Sequence, residues 1–122
     1  MKIGEIAGEA GVTVDTVRFY ERVGVLPPPA RTASGYRDYQ PKTVARIQLT
    51  RQLQAIGFTL GEAVDALAAH DAGDATCESE QWRLQAVLDR VEAKLEELQA
   101  LRGRIVQAQA ACASGHCLFT TA

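Results

Sequence analysis

Residues 77–112 read CESEQWRLQAVLDRVEAKLEELQALRGRIVQAQAAC, with a cysteine at each end, no proline and a single glycine, Gly103. Leu84, Leu88, Val91, Leu95 and Leu98 recur at alternating steps of four and three, the a/d stripe of a coiled coil. Leu101, Ile105 and Ala108 carry the stripe on after one short step at Leu98 to Leu101 that shifts its phase. Arg90, Glu92, Lys94, Glu96 and Glu97 fall off the stripe, as a solvated flank should. With Ser79 as cap and Glu80 in the first turn, the pattern predicts a helix over residues 80–111. Its length is about 48 Å at 1.5 Å per residue. A rod that long in a 122-residue chain cannot bury its stripe against its own small neighbours, so a second copy of the chain is the simplest partner. If the two rods run antiparallel, Cys77 of one subunit approaches Cys112 and Cys117 of the other.

Upstream, HDAGDA at 70–75 opens a polar linker, 70–79, and residues 1–69 hold a series of short elements. Ile3, Ile6, Ala7 and Ala10 mark a first helix that stops at Gly11. Thr13 caps a second through Val14, Val17, Phe19 and Tyr20, which ends near Gly24. Two short helices joined through a glycine turn form a helix-turn-helix. PPPARTASGYRDYQP then places Arg31, Tyr36, Arg37 and Tyr39 within nine residues around a turn at Gly35, a basic hairpin or wing. Pro41 opens a third helix through Val44, Ile47, Leu49 and Leu53, and Gly57 closes it. Thr59 caps a fourth through Leu60, Ala63, Val64 and Leu67. Residues 112–122 form a cysteine-containing loop and tail. The expected class is therefore mainly α: a winged helix-turn-helix head followed by a long antiparallel coiled-coil dimerisation helix.

Charge divides along the same line. The net charge of −2 combines +3 over residues 1–51 with −5 over residues 52–122, so a basic front suits phosphate and the rear does not. No apolar run approaches a membrane span and no signal-peptide core opens the chain, which points to a cytoplasmic protein without a membrane partner. Three cysteines cannot all pair within one chain, so reduced thiols serving as soft-metal ligands or redox sensors are expected. No nucleophile–base pair, phosphate-cradling glycine loop or carboxylate pair is evident, and an enzyme is not expected.

In order, IGEIAGEAGVTVDTVRFYERVGVLPPPART, SGYRDY, TRQLQAIGFTLGE and the long helix with its flanking cysteines resemble the MerR family of bacterial transcription regulators over about residues 1–118. The resemblance implies a homodimer on double-stranded promoter DNA. In that family effector binding at the helix ends bends and untwists the DNA, so that RNA polymerase meets realigned promoter elements. By motif position, Arg18 and Tyr20 should touch the backbone, while Val14, Asp15 and Thr16 face base edges. Arg31, Tyr36 and Arg37 of the wing should bind phosphates. Phe19 and Tyr39 are assigned to packing.

Thiolates at Cys77, Cys112 and Cys117 suit soft ions. Family members that sense monovalent ions resemble one another in carrying Ser where this chain has Cys77, so the resemblance implies a divalent effector: Hg(II) first, with Zn(II), Cd(II) or Pb(II) open. Three thiolates in a plane suit Hg(II) or Pb(II). Adding His116 would give the tetrahedron that Zn(II) or Cd(II) prefers, and the four-residue loop AlaSerGlyHis leaves that choice open. A thiol redox sensor that joins Cys112 to Cys117 is the alternative, although no basic residue flanks either to activate it.

Overall fold

The computed structural model describes residues 1–120, so the last two residues of the expected 112–122 tail lie outside it. Five helices and one two-stranded hairpin follow in the order α1 (Ile3–Ala10), α2 (Val14–Arg22), β1 (Ala30–Arg31), β2 (Arg37–Asp38), α3 (Lys42–Ala55), α4 (Leu60–Asp71) and α5 (Cys77–Ala113). The chain divides into two compact units, Met1–Arg83 and Leu84 onward. The mainly helical fold with a small β wing and a long final helix is the expected one.

In the first unit α1 packs on α2 and α3, and α3 packs on α4. Ile6, Val17, Val25, Leu26, Ile47 and Leu67 are fully buried where these helices meet. Thr50 is buried among them, and its hydroxyl donates to the Arg46 carbonyl at 2.9 Å, so this buried polar group is satisfied. Helix boundaries follow local chemistry. The Thr13 hydroxyl accepts from the Thr16 amide at 3.1 Å and starts α2. Thr59 and Glu62 exchange hydrogen bonds of 2.8 and 3.1 Å in a capping box that starts α4. Gly11, at φ 73°, supplies the left-handed residue that turns α1 toward α2.

The wing is a hairpin in which Ala30 faces Asp38 and Arg31 faces Arg37. Gly35 donates to the Thr32 carbonyl at 2.9 Å and sits at φ 88°, a three-residue loop closed by a left-handed glycine.

Helix α5 runs through 37 residues, about 55 Å at 1.5 Å per residue. It begins before the expected Ser79 cap because Thr76 captures the start. The Ser79 amide donates to Thr76 Oγ1 at 3.0 Å and the Thr76 amide donates to Ser79 Oγ at 2.9 Å. Ser79 is thus the inner partner of a reciprocal cap, and Cys77 becomes the first helical residue. Along the second unit Leu84, Leu88, Val91, Leu95, Leu98, Leu101 and Ile105 are all exposed, at 44–61%. A stripe of large apolar side chains left open to water on an isolated chain is the surface a partner helix covers.

Candidate functional site

Two groups of side chains stand out, one on the head and one at the end of α5. On the head, Lys2, Arg18, Arg31, Tyr36 and Arg37 line one cleft of about 430 Å³ beside α1, α2 and the wing. Tyr36 is 71% exposed at the wing tip. Arg31 donates from Nη1 to the Gly35 carbonyl at 2.9 Å, which fixes its stem across the hairpin loop. Arg18 lies 3.7 Å from Asp15, and both are open to solvent. Arg37 Nε approaches Glu21 Oε1 at 3.4 Å. Four cations around one cleft form a surface suited to a polyanion. Lys2 was missed by motif matching because it precedes the helix-turn-helix, and the fold brings it to the same cleft.

Not every residue expected at this surface lies on it. Tyr20 is 5% exposed and part of the core, and its hydroxyl donates to Gln54 Oε1 at 2.9 Å. Its phenol is spent on joining α2 to α3, which corrects the expectation of a backbone contact. Phe19 is exposed in its place, with the Arg22 guanidinium 5.6 Å above its ring. Helical spacing explains the exchange: Val17 and Tyr20 are three residues apart and share the inner face of α2, whereas Phe19 points off it. Val14 packs against the core, leaving Asp15 and Thr16 as the outward pair at the start of α2. Thr16 Oγ1 is 2.9 Å from Thr13 Oγ1. Tyr39 is buried as expected, with its hydroxyl donating to Glu21 Oε2 at 2.8 Å.

At the other end of the chain, α5 finishes in a turn through Gly115, at φ 90°, that brings Cys117 back to Cys112. The Cys112 thiol donates to Cys117 Sγ at 2.8 Å. That bond pushes Cys112 up from the ordinary thiol value. It also draws Cys117 down, helped by the Phe119 amide. Hydrogen bonds, rather than a neighbouring Lys or Arg, differentiate the two sulfurs. Cys77 is an exposed free thiol at the opposite end of α5. His116 is exposed, and its amide donates to the Ala111 carbonyl at 2.8 Å, holding the loop. Among the described residues of one chain, no three His, Cys, Asp or Glu side chains gather into a metal-holding group. One chain therefore offers a two-thiol pair at the end of α5 and a third thiol at the first residue of that helix. No helix among the described residues is long and apolar enough to cross a membrane.

Residues 1–70 match the family model described as MerR HTH family regulatory protein, and residues 44–108 match the one described as MerR, DNA binding. The chain is similar to the Mercuric resistance operon regulatory protein of Bacillus cereus, 33% identical over 111 residues that span 91% of this chain and 84% of that protein. It is also similar to the HTH-type transcriptional regulator ZntR of Escherichia coli (strain K12), 32% identical over 112 residues, 91% of this chain and 79% of that one. Among solved structures, the transcription regulator PbrR691 from Ralstonia metallidurans CH34 in complex with lead(II) matches with a TM-score of 0.82 and 32% identity. That match covers 91% of this chain and 87% of the other.

Proposed function

The chain belongs to the MerR family of helix-turn-helix transcription regulators, and from that premise we propose that it is a homodimeric sensor in which a soft divalent ion switches promoter activity. As a regulator of this family it is not an enzyme. The cleft of Lys2, Arg18, Arg31 and Arg37 is the phosphate-binding face of each head, with Asp15 and Thr16 toward base edges. The output is a change in DNA shape that presents the promoter to RNA polymerase.

The observation that carries this reading is a symmetry in α5. Placing Cys77 of one helix opposite Cys112 of an antiparallel copy pairs Leu84 with Ile105, Leu88 with Leu101 and Val91 with Leu98. Every one of these pairs is symmetric about the same point, between Lys94 and Leu95. One register thus covers the exposed apolar stripe and completes a three-thiol site of Cys77 from one chain with Cys112 and Cys117 from the other. The short step at Leu98 to Leu101 lies where it must for the two halves to match.

The donor set fits a soft ion. Around a tetrahedral centre with bonds of about 2.3 Å, two sulfurs lie roughly 3.8 Å apart. Cys112 and Cys117 at 2.8 Å therefore need to separate by about 1 Å, which an exposed Cys112 in the last turn of α5 and a Cys117 on the loop after it reach by side-chain rotation. Cys77 of one chain with Cys112 and Cys117 of the other would hold the ion, and His116, adjacent to Cys117, would be the fourth donor for a tetrahedral ion. The effector class is Hg(II), Pb(II), Zn(II) or Cd(II), with no one of the four favoured over the others. One similar regulator is named for mercuric resistance, while a similar solved structure holds lead. A second reading, a Cys112–Cys117 disulfide as redox signal, draws on the 2.8 Å between the sulfurs. Blocking by dilute peroxide with loss of two titratable thiols per chain, reversed by dithiothreitol, would mark it.

A mixed dimer tests the assignment. One subunit carries Cys77→Ser and the other carries Cys112→Ser with Cys117→Ser. One composite site keeps all three thiols and the other loses all three, so a single near-native site should appear in the ultraviolet thiolate-to-metal band on titration with Pb(II) or Hg(II). Loss of every tight site would refute the shared site.

A further inference from the structure

Glu21 is out of place on a surface that attracts phosphate. It sits in the last turn of α2, on the head where Lys2, Arg18, Arg31 and Arg37 gather, and an unpaired carboxylate there opposes a polyanion. Yet its side chain is only 18% exposed. One oxygen accepts the buried Tyr39 hydroxyl at 2.8 Å, and the other faces Arg37 Nε at 3.4 Å. Tyr39 is 4% exposed, so the first bond ties the carboxylate to the core. The second engages Nε alone, and among the described residues Arg37 Nη1 and Nη2 have no hydrogen-bond partner. Strand β2 is two residues long, so its ladder does little to orient the Arg37 side chain. The contacts span 16 and 18 residues of sequence and join α2 to the wing.

We propose that Glu21 is a positioning residue: anchored by Tyr39, it holds Arg37 by Nε so that the Nη edge of the guanidinium is presented to a DNA phosphate. Burial, followed by the bond to Glu21, pushes Tyr39 up to about 12, so the anchor remains a donor at neutral pH. An arginine held at Nε keeps its full charge and its two-pronged edge, and loses less side-chain freedom when it binds than a free one. The carboxylate costs some long-range attraction and gains a fixed wing.

This rests on the reading of Arg37 as a phosphate contact, and the variants separate the two. The full dimer is titrated with a mixed-sequence duplex long enough for both heads, over a range of salt. Arg37→Ala should flatten the log K against log salt slope by about 0.9 per head. Glu21→Gln removes the charge and keeps the shape. It should weaken binding and flatten the slope in the same sense, and in an Arg37→Ala background that loss should vanish, leaving only the small gain from removing a negative charge. A carboxylate acting only as an unfavourable charge gives the opposite result: Glu21→Gln tightens binding in both backgrounds, and the proposal is overturned. Tyr39→Phe keeps the buried ring and removes only the anchor. It should give a smaller loss that also vanishes with Arg37→Ala, and an unchanged slope overturns the proposal even if Glu21→Gln folds poorly. If Arg37→Ala itself leaves the slope unchanged, the contact reading fails and takes this one with it. If Arg37→Ala flattens the slope and Glu21→Gln does not, only the positioning role fails.

Discussion

Leu95→Glu is the most demanding test of how α5 is used. Leu95 is 52% exposed on the single chain and lies beside the symmetry point of the Cys77–Cys112 register. In that register the two copies of residue 95 meet at the dimer axis. Fully burying a leucine side chain is worth about 1.5–3 kcal/mol, so covering the open half contributes roughly 1 kcal/mol per copy. Two carboxylates on the order of 6 Å apart in a medium of effective dielectric 20 repel by about 3 kcal/mol. Together the substitution costs roughly 5 kcal/mol of dimer, a loss of about three to four decades in affinity. Sedimentation velocity over a concentration series reads it directly. Leu84→Glu is the control: it faces Ile105, has no like-charged twin, and should cost less per substituted position. A Leu95→Glu protein that stays dimeric at the wild-type midpoint would place the seam or the register elsewhere. Equal effects at Leu84 and Leu95 would remove the axis from residue 95.

Arg18→Ala should weaken binding to every duplex alike and flatten the salt slope by about 0.9 per head, as filter binding across salt would show. Thr59→Ala removes one half of the α4 capping box and should cost about 1 kcal/mol, read as a lower denaturation midpoint. Asp71 accepts from both Nη atoms of Arg46 at 2.7 and 2.8 Å, which lowers its pKa from 3.8. A carboxylate lowered on folding stabilises the fold above its unfolded value, and that contribution is lost as pH falls through the folded one. Asp71→Asn should therefore reduce stability at neutral pH and flatten the fall in stability below about pH 4 in urea titrations.

Most of the architecture is legible along the chain because its signals are local. Thr13, Thr59, Gly11, Gly35 and the 4–3 leucine spacing each act within a turn or two, and each element lies where they place it. Differences arise where two local signals compete or where distance intervenes. Thr76 and Ser79 are both good caps, and only the reciprocal pair of hydrogen bonds decides that the helix starts at Cys77. Motif likeness put Tyr20 on the DNA face, although the Val14–Val17–Tyr20 spacing already marked the inner stripe of α2. Glu21 with Arg37 and Tyr39, and Arg46 with Val25 and Asp71, join residues 16–25 positions apart. No periodicity carries such pairs, since they depend on how helices cross rather than on how each one forms. The proposed thiol site is further removed again, because no single chain contains it.

Sharing a metal site between two chains would couple effector binding to dimerisation. The head holds its own buried core, whereas α5 leaves its leucine stripe exposed until a partner arrives. A site built from Cys77 of one chain and Cys112 and Cys117 of the other exists only in the dimer, so ion binding and dimerisation must be linked. Each site filled at a hundredfold excess over its Kd adds about 2.7 kcal/mol to the dimer. Two sites would lower the dimer dissociation constant by roughly four decades. Cys77→Ser leaves the Cys112–Cys117 pair within each chain, where an ion bound by that pair alone favours monomer and dimer equally. Metal-dependent tightening of the dimer should therefore disappear in Cys77→Ser even if some metal still binds. Dilution of the wild type and of Cys77→Ser, each with and without Pb(II), measures the four states of that cycle. Equal tightening in both proteins would mean that the ion stabilises the dimer without bridging it through Cys77.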